Sequence, residues 1–156
     1  MDQTDFRALC YSTSIELRCK DADALGNTNI IDVDNVRIGL FFDEDIAPDR
    51  ILCYIEIGKL PLVEREEILE RILALNLLTG SKTSGVYGLD QQSDTLIFVQ
   101  QFLYPELMTG EDLAGILQGY SSHALSLQQN LLDPSNLQPV PEILTNSFNA
   151  GLQAMA

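Results

Sequence analysis

The stretch "LPLVEREEILERILALNLLTG", Leu60–Gly80, decides how this chain folds. Its first half carries four glutamates, Glu64, Glu66, Glu67 and Glu70, and its second half is almost wholly apolar. Read as a helix, it sets Ile68, Ile72, Leu75 and Thr79 along one side at the i, i+4, i+7 spacing, and Leu69, Leu73, Asn76 and Leu77 along another. A surface helix of one domain needs a single apolar stripe to reach its core. Two stripes call for a cover on the second that the chain's own sheet does not supply.

On the N-terminal side of this helix the pattern changes from period 3.6 to period 2. Val36, Ile38, Leu40 and Phe42 alternate with Arg37, Gly39 and Phe41, and Ile51, Cys53, Ile55 and Ile57 alternate with Leu52, Tyr54 and Glu56. With the weaker run Ile30–Asp34 they make three strands, preceded by a turn over 22–29 that contains Gly26 and Asn27. Residues 2–20 read as a first helix, with Phe6, Leu9, Cys10 and Thr13 on one side and Asp2 and Asp5 at its anion-favouring start. Gly80 is placed to cap the middle helix in the left-handed conformation. On its far side, Thr83–Leu89 and Thr95–Leu103 form a hairpin about the polar turn Asp90–Asp94, with apolar residues on both faces: Leu96 and Phe98 against Ile97 and Val99. A last helix starts at the N-cap Thr109 and carries Leu113, Ile116, Leu117, Tyr120, Ala124, Leu127 and Leu131 at helical spacing. Residues 1–132 are thus one domain. Residues 133–156, with Pro134, Pro139 and Pro141 and a weakly amphipathic end through Ile143, Leu144, Phe148 and Leu152, form a tail expected to be partly disordered when the protein is alone.

Composition excludes several classes of partner. The 156 residues are 46% hydrophobic and 21% charged, values for a folded domain that needs neither disulfide nor metal to hold it. The net charge is −14, and from Thr83 onward there is no Lys or Arg. Nucleic acid and anionic membrane surfaces both require cations, so neither is a partner. No apolar run approaches the roughly 20 residues of a membrane span, and Met1, Asp2 and Gln3 do not begin a signal peptide. Cys10, Cys19 and Cys53 lack the paired short spacing of a zinc or redox motif and read as reduced thiols of a cytosolic protein.

The search for chemistry returns nothing that catalyses. His123 is the only histidine, and no nucleophile motif accompanies it. "GSKTSGVYG" leads into a strand, whereas a phosphate loop opens a helix. "DEDIAPD" lacks the ligand spacing and the turn glycine of a calcium loop. The glutamates of the middle helix, interspersed with Arg65 and Arg71, are a solvated helix face. No catalytic residue, metal, cofactor or small-molecule substrate is expected. A surplus of apolar surface without a catalytic group points instead to the binding of other protein.

Four phrases carry a resemblance. "YIEIGKLP" ends a strand in Gly and Pro, "ILERILALNLLTG" is a helix with Leu-Asn near its end, "GVYGLD" opens the hairpin, and "IFVQQFLYPELMTGEDLAGILQGY" runs from a strand through a proline link into the last helix. In this order, over roughly residues 5–131, the chain resembles the class I type III secretion chaperones, the Tir chaperone or CesT family. The resemblance implies an α+β fold of helix, three strands, helix, two strands, helix, with the helices packed on a twisted antiparallel sheet. It also implies a homodimer built largely on the middle helix, through Leu69, Leu73, Asn76 and Leu77. The implied work is to hold the N-terminal segment of a secreted effector in extended form in the bacterial cytoplasm, ready for export; a regulatory protein of the same fold, sequestering a regulator or gatekeeper of secretion, is the alternative. Strand alternation and the family's mode of binding together name Phe6, Leu9, Leu40, Phe41, Phe42 and Tyr54 as candidate partner contacts.

Overall fold

The computed structural model describes residues 1–79 and 85–132, with the backbone alone at 78 and 79. Helix α1, Gln3–Glu16, begins at Asp2, whose carboxylate accepts the Asp5 amide while Asp5 returns the bond to the Asp2 amide. It is shorter than the 2–20 expected. The Leu17 amide reaches the Thr13 carbonyl, the Arg18 amide reaches that of Ile15, and Arg18 then turns to φ 56°, which ends the helix.

The segment read as a turn over 22–29 contains a short helix, α2, Ala24–Thr28, closed by Asn29 at φ 60°. Buried Leu25 holds it on the core. Strands β1, Ile30–Val33, β2, Val36–Phe41, and β3, Arg50–Lys59, follow, then helix α3, Arg65–Thr79, the hairpin β4, Val86–Asp90, and β5, Thr95–Leu103, and last α4, Gly110–Leu131, after a single 3-10 turn at Pro105–Leu107. The helix inside Leu60–Gly80 is therefore five residues shorter at its start than the quoted stretch. Leu60 is buried beyond the end of β3 and hydrogen-bonded to the Asp94 carbonyl, and Glu64 at φ 60° marks the change of direction into α3. The proposed cap at Gly80, the strand start at Thr83, the side-chain position of Thr79 and the tail 133–156 lie outside the described residues.

The five strands make one antiparallel sheet in the order β1-β2-β3-β5-β4. Helix α4 lies across β1, β2 and β3, α1 packs on α4, and α3 runs beside β4. The inward side chains are those that the alternation selects: Val36, Ile38 and Leu40, then Ile51, Cys53, Ile55 and Ile57, then Leu96, Phe98 and Phe102. They meet Phe6 and Leu9 of α1 and Leu113, Leu117 and Ala124 of α4 in one core. Buried hydroxyls are satisfied without breaking it. Thr13 and Ser14 bond back to the Leu9 and Cys10 carbonyls, and Ser121 donates to the Val33 carbonyl at 2.8 Å, fastening α4 to β1. A bulge between Glu56 and Gly58 bends β3; Gly58, at φ 148°, takes a conformation closed to other residues.

Thr109 caps α4 as its sequence predicts, in a reciprocal box with Asp112. Its hydroxyl and then its amide hold the Asp112 carboxyl below the usual aspartate range.

Candidate protein-binding surfaces

Helix α3 shows its two stripes. Ile68 and Ile72 are buried, while Leu73 and Leu77 are 69% and 61% exposed. Leu69 sits between these extremes, partly buried against the core. The helix is pinned from its side: the Tyr87 amide donates to Asn76 Oδ1 at 2.6 Å and Asn76 Nδ2 donates to the Tyr87 carbonyl at 3.0 Å. One side-chain amide thus continues the ladder beyond the outer edge of β4 and leaves that edge partly closed. At the other end, Arg65 reaches Asp94 at 2.8 Å, tying the start of α3 to the turn before β5.

The second surface is the face of the sheet turned away from α1 and α4. Directly opposed residues of antiparallel strands share a face, so the pairs Phe41↔Leu52, Tyr54↔Val99 and Val86↔Val99 place these side chains together. Phe41, Tyr54 and Val86 are exposed, and Leu52 and Val99 are half-buried. The Phe41 and Tyr54 rings meet edge to face at 5.3 Å. Gly39, the cross-strand partner of Tyr54, makes room for this: a Cβ there would stand 2.8 Å from the Phe41 ring.

The six residues named as partner contacts are divided by the fold. Phe6, Leu9 and Leu40 are enclosed in the core, at 0%, 6% and 0% exposure. Phe42 is half-buried and stacks on Phe6 at 5.3 Å, whereas Phe41 and Tyr54 lie together on the open face. Leu69, Leu73 and Leu77 remain on α3's outer flank, and Asn76 is turned towards β4. Val86, Leu103 and Val99 belong to the open face as well. Val99 was visible in the alternation; the pairing that adds Val86 was not.

No group of three or more His, Cys, Asp or Glu side chains among the described residues could hold a metal ion. Burial alone pushes the Cys10 and Cys53 thiols up from 9.0 to about 12, so both stay protonated and act as small apolar groups. His123 Nε2 lies 2.8 Å from the Tyr87 hydroxyl, on the rim of a groove between α3 and α4. No helix of the described residues is long and apolar enough to cross a membrane.

The described residues thus form an acidic α+β domain with exposed leucines on one flank of α3 and exposed apolar side chains on the sheet face turned away from α1 and α4. The model of the Tir chaperone protein (CesT) family matches residues 27–131, about two thirds of the chain, and the chain belongs to that family, the class I chaperones of type III secretion. Among solved structures, a chain of the crystal structure of the ExsC–ExsE complex is similar with a TM-score of 0.66 at 16% identity, covering 86% of this chain and 99% of that one. A chain of the HopA1–SchA chaperone–effector complex is similar with a TM-score of 0.52 at 17% identity, covering 85% and 98%. A search of curated protein sequences finds no match.

Proposed function

We propose that the protein works in the bacterial cytoplasm as a homodimer that holds the N-terminal segment of a secreted effector in extended form until export. The observation that carries this reading is the apolar surface a CesT-family protomer leaves open in two places, on the outer flank of α3 and on the far face of the sheet. The α3 flank suits a second copy, because a helix stripe of leucines is self-complementary about a two-fold axis. The sheet face, with Phe41, Leu52, Tyr54 and Val99, suits alternate side chains of an extended segment. The HopA1–SchA structure is a chaperone–effector complex on the same fold, which supports cargo of that kind here.

Such a grip is apolar and main-chain, so it should depend little on salt. The test is to titrate the N-terminal region of a candidate effector from low to high ionic strength, with wild type and Phe41→Asp. Phe41 is exposed, so an aspartate there does not invade the core. We expect nearly constant wild-type affinity and a loss of at least about tenfold in the variant, the effect of leaving one aromatic contact unmade. A steep fall with salt together with an indifferent Phe41→Asp would replace the cargo reading with a folded, basic regulator bound by charge.

A further inference from the structure

Where β2 and β5 end and β3 begins, apolar side chains stand exposed that belong neither to the open sheet face nor to α3. Phe41 pairs with Leu52 and Leu103 with Arg50, so the loop 42–49 and the link 104–109 leave the sheet at the same end. They are joined there. The Tyr104 amide donates to the Asp49 carbonyl at 2.8 Å, and the Gln3 amide at the start of α1 donates to Glu44 Oε2 at 2.7 Å. From these connections Ile46 projects at 83% exposure, Leu107 at 80% and Tyr104 at 59%.

The backbone holds them outward. Asp43 Oδ1 accepts the amides of Asp45 and Ile46 at 3.0 Å each, which fixes the turn that carries Ile46. The Leu107 amide returns to the Tyr104 carbonyl at 3.0 Å, and Tyr104 stands at φ 53°, a conformation that suits glycine or asparagine better than a ring. Side chains presented from a fixed backbone lose little freedom when a partner covers them.

Charge identifies that partner. Residues 1–5, 42–50 and 103–109 carry seven carboxylates and one Lys or Arg, Arg50, whose guanidinium Asp49 already engages at 3.0 and 3.3 Å. Asp45 and Glu106, next in sequence to Ile46 and Leu107, are exposed. Exposed Leu62 and Val63, by contrast, lie between Lys59 and Arg65. A second copy of this chain would bring like charge to like at this end, and an anionic membrane or a nucleic acid would do the same. We propose that this end of the molecule docks a basic amphipathic segment of another protein. Its apolar side chains cover Ile46, Tyr104 and Leu107, and its Lys and Arg side chains face the surrounding carboxylates. The surface lies beyond the strand ends, apart from the sheet face assigned to cargo, and does not depend on that assignment.

The probe is a synthetic amphipathic peptide of leucine and lysine, titrated into the full chain beside a second peptide in which glutamine replaces lysine. We expect Ile46→Ser/Leu107→Ser to bind the lysine peptide at least about tenfold more weakly than wild type, since two apolar contacts are lost. Asp45→Asn/Glu106→Gln should bind it several-fold more weakly, and wild-type affinity should fall as salt rises. Leu62→Ser/Val63→Ser, an exposed apolar pair beyond the opposite end of β3, should bind as wild type does, and Phe41→Asp on the cargo face no more weakly. Absence of wild-type binding would overturn the proposal, as would full affinity in Ile46→Ser/Leu107→Ser. So would a glutamine peptide that binds as tightly as the lysine one, or equal weakening by the Leu62 and Val63 substitutions. Binding lost in Phe41→Asp would move the peptide to the cargo face and overturn it as well.

Discussion

Asn76 does more than its place on a helix flank suggests. Its amide meets both main-chain groups of Tyr87, a neighbour 11 positions away that no local pattern relates to it. Replacing it by alanine leaves a partly enclosed amide and carbonyl of β4 without these partners. Asn76→Ala is expected to lower unfolding free energy by about 1–3 kcal/mol in urea titrations, the usual effect of orphaning such groups. No change would mean that water replaces the side chain without loss. The cysteines make a prediction with a defined sign. The folded thiols of Cys10 and Cys53 lie at about 12, above the roughly 8.5 of an unfolded thiol. The stability they contribute is complete below the unfolded value and is lost as pH rises from there towards 12. Cys10→Ala/Cys53→Ala is expected to be less stable at about pH 7.5 and to lose less further stability by about pH 10, with partner binding intact. Equal losses in the two proteins would show that the thiols do not ionise on unfolding.

At the level of elements, α3 is where sequence and structure agree most closely and where one substitution says most. Leu73 projects from the protomer at 69% exposure, so Leu73→Glu leaves its packing undisturbed. If α3 joins two copies, covering Leu73 and Leu77 contributes roughly 1.5–3 kcal/mol per leucine, doubled by symmetry. Sedimentation should then find wild-type dimers at micromolar concentration and Leu73→Glu monomers of unchanged circular dichroism. A monomeric wild type would remove the dimer from the proposal. The order of helices and strands was legible because each long element carries its own period: 3.6 in α3 and α4, 2 in β2, β3 and β5. The short α2 was not, because its five residues, ALGNT, are too few to show a period, and what holds it is the burial of Leu25 in the core.

For the whole molecule, the uneven covering of the sheet matters most. Helices α1 and α4 pack on one face, and aromatic and branched side chains remain exposed on the other. This changes which substitutions inform. An aspartate at Phe6 would place an unpaired charge in the core and report on folding, whereas Phe41→Asp reports on binding. The net charge of −14 opposes non-specific association of such a surface by mutual repulsion and does not weaken apolar contact.

The sequence by itself determined the α+β class, the order of the long elements, the two flanks of α3 and the family resemblance, because all of these are written in local periodicity or in ordered phrases. Only the tertiary structure decided which members of Phe6, Leu9, Leu40, Phe41, Phe42 and Tyr54 are enclosed. Alternation separates the two faces of a strand but does not say which face the helices will cover. In β5 both faces are apolar, and Phe41, Leu52 and Tyr54 put apolar side chains on the second face of β2 and β3 as well, so being hydrophobic does not by itself place a residue in the core. Enclosure is completed by the chain elsewhere, where Ser121 fastens α4 to β1 and α1 packs on α4, and these contacts join residues far apart in sequence.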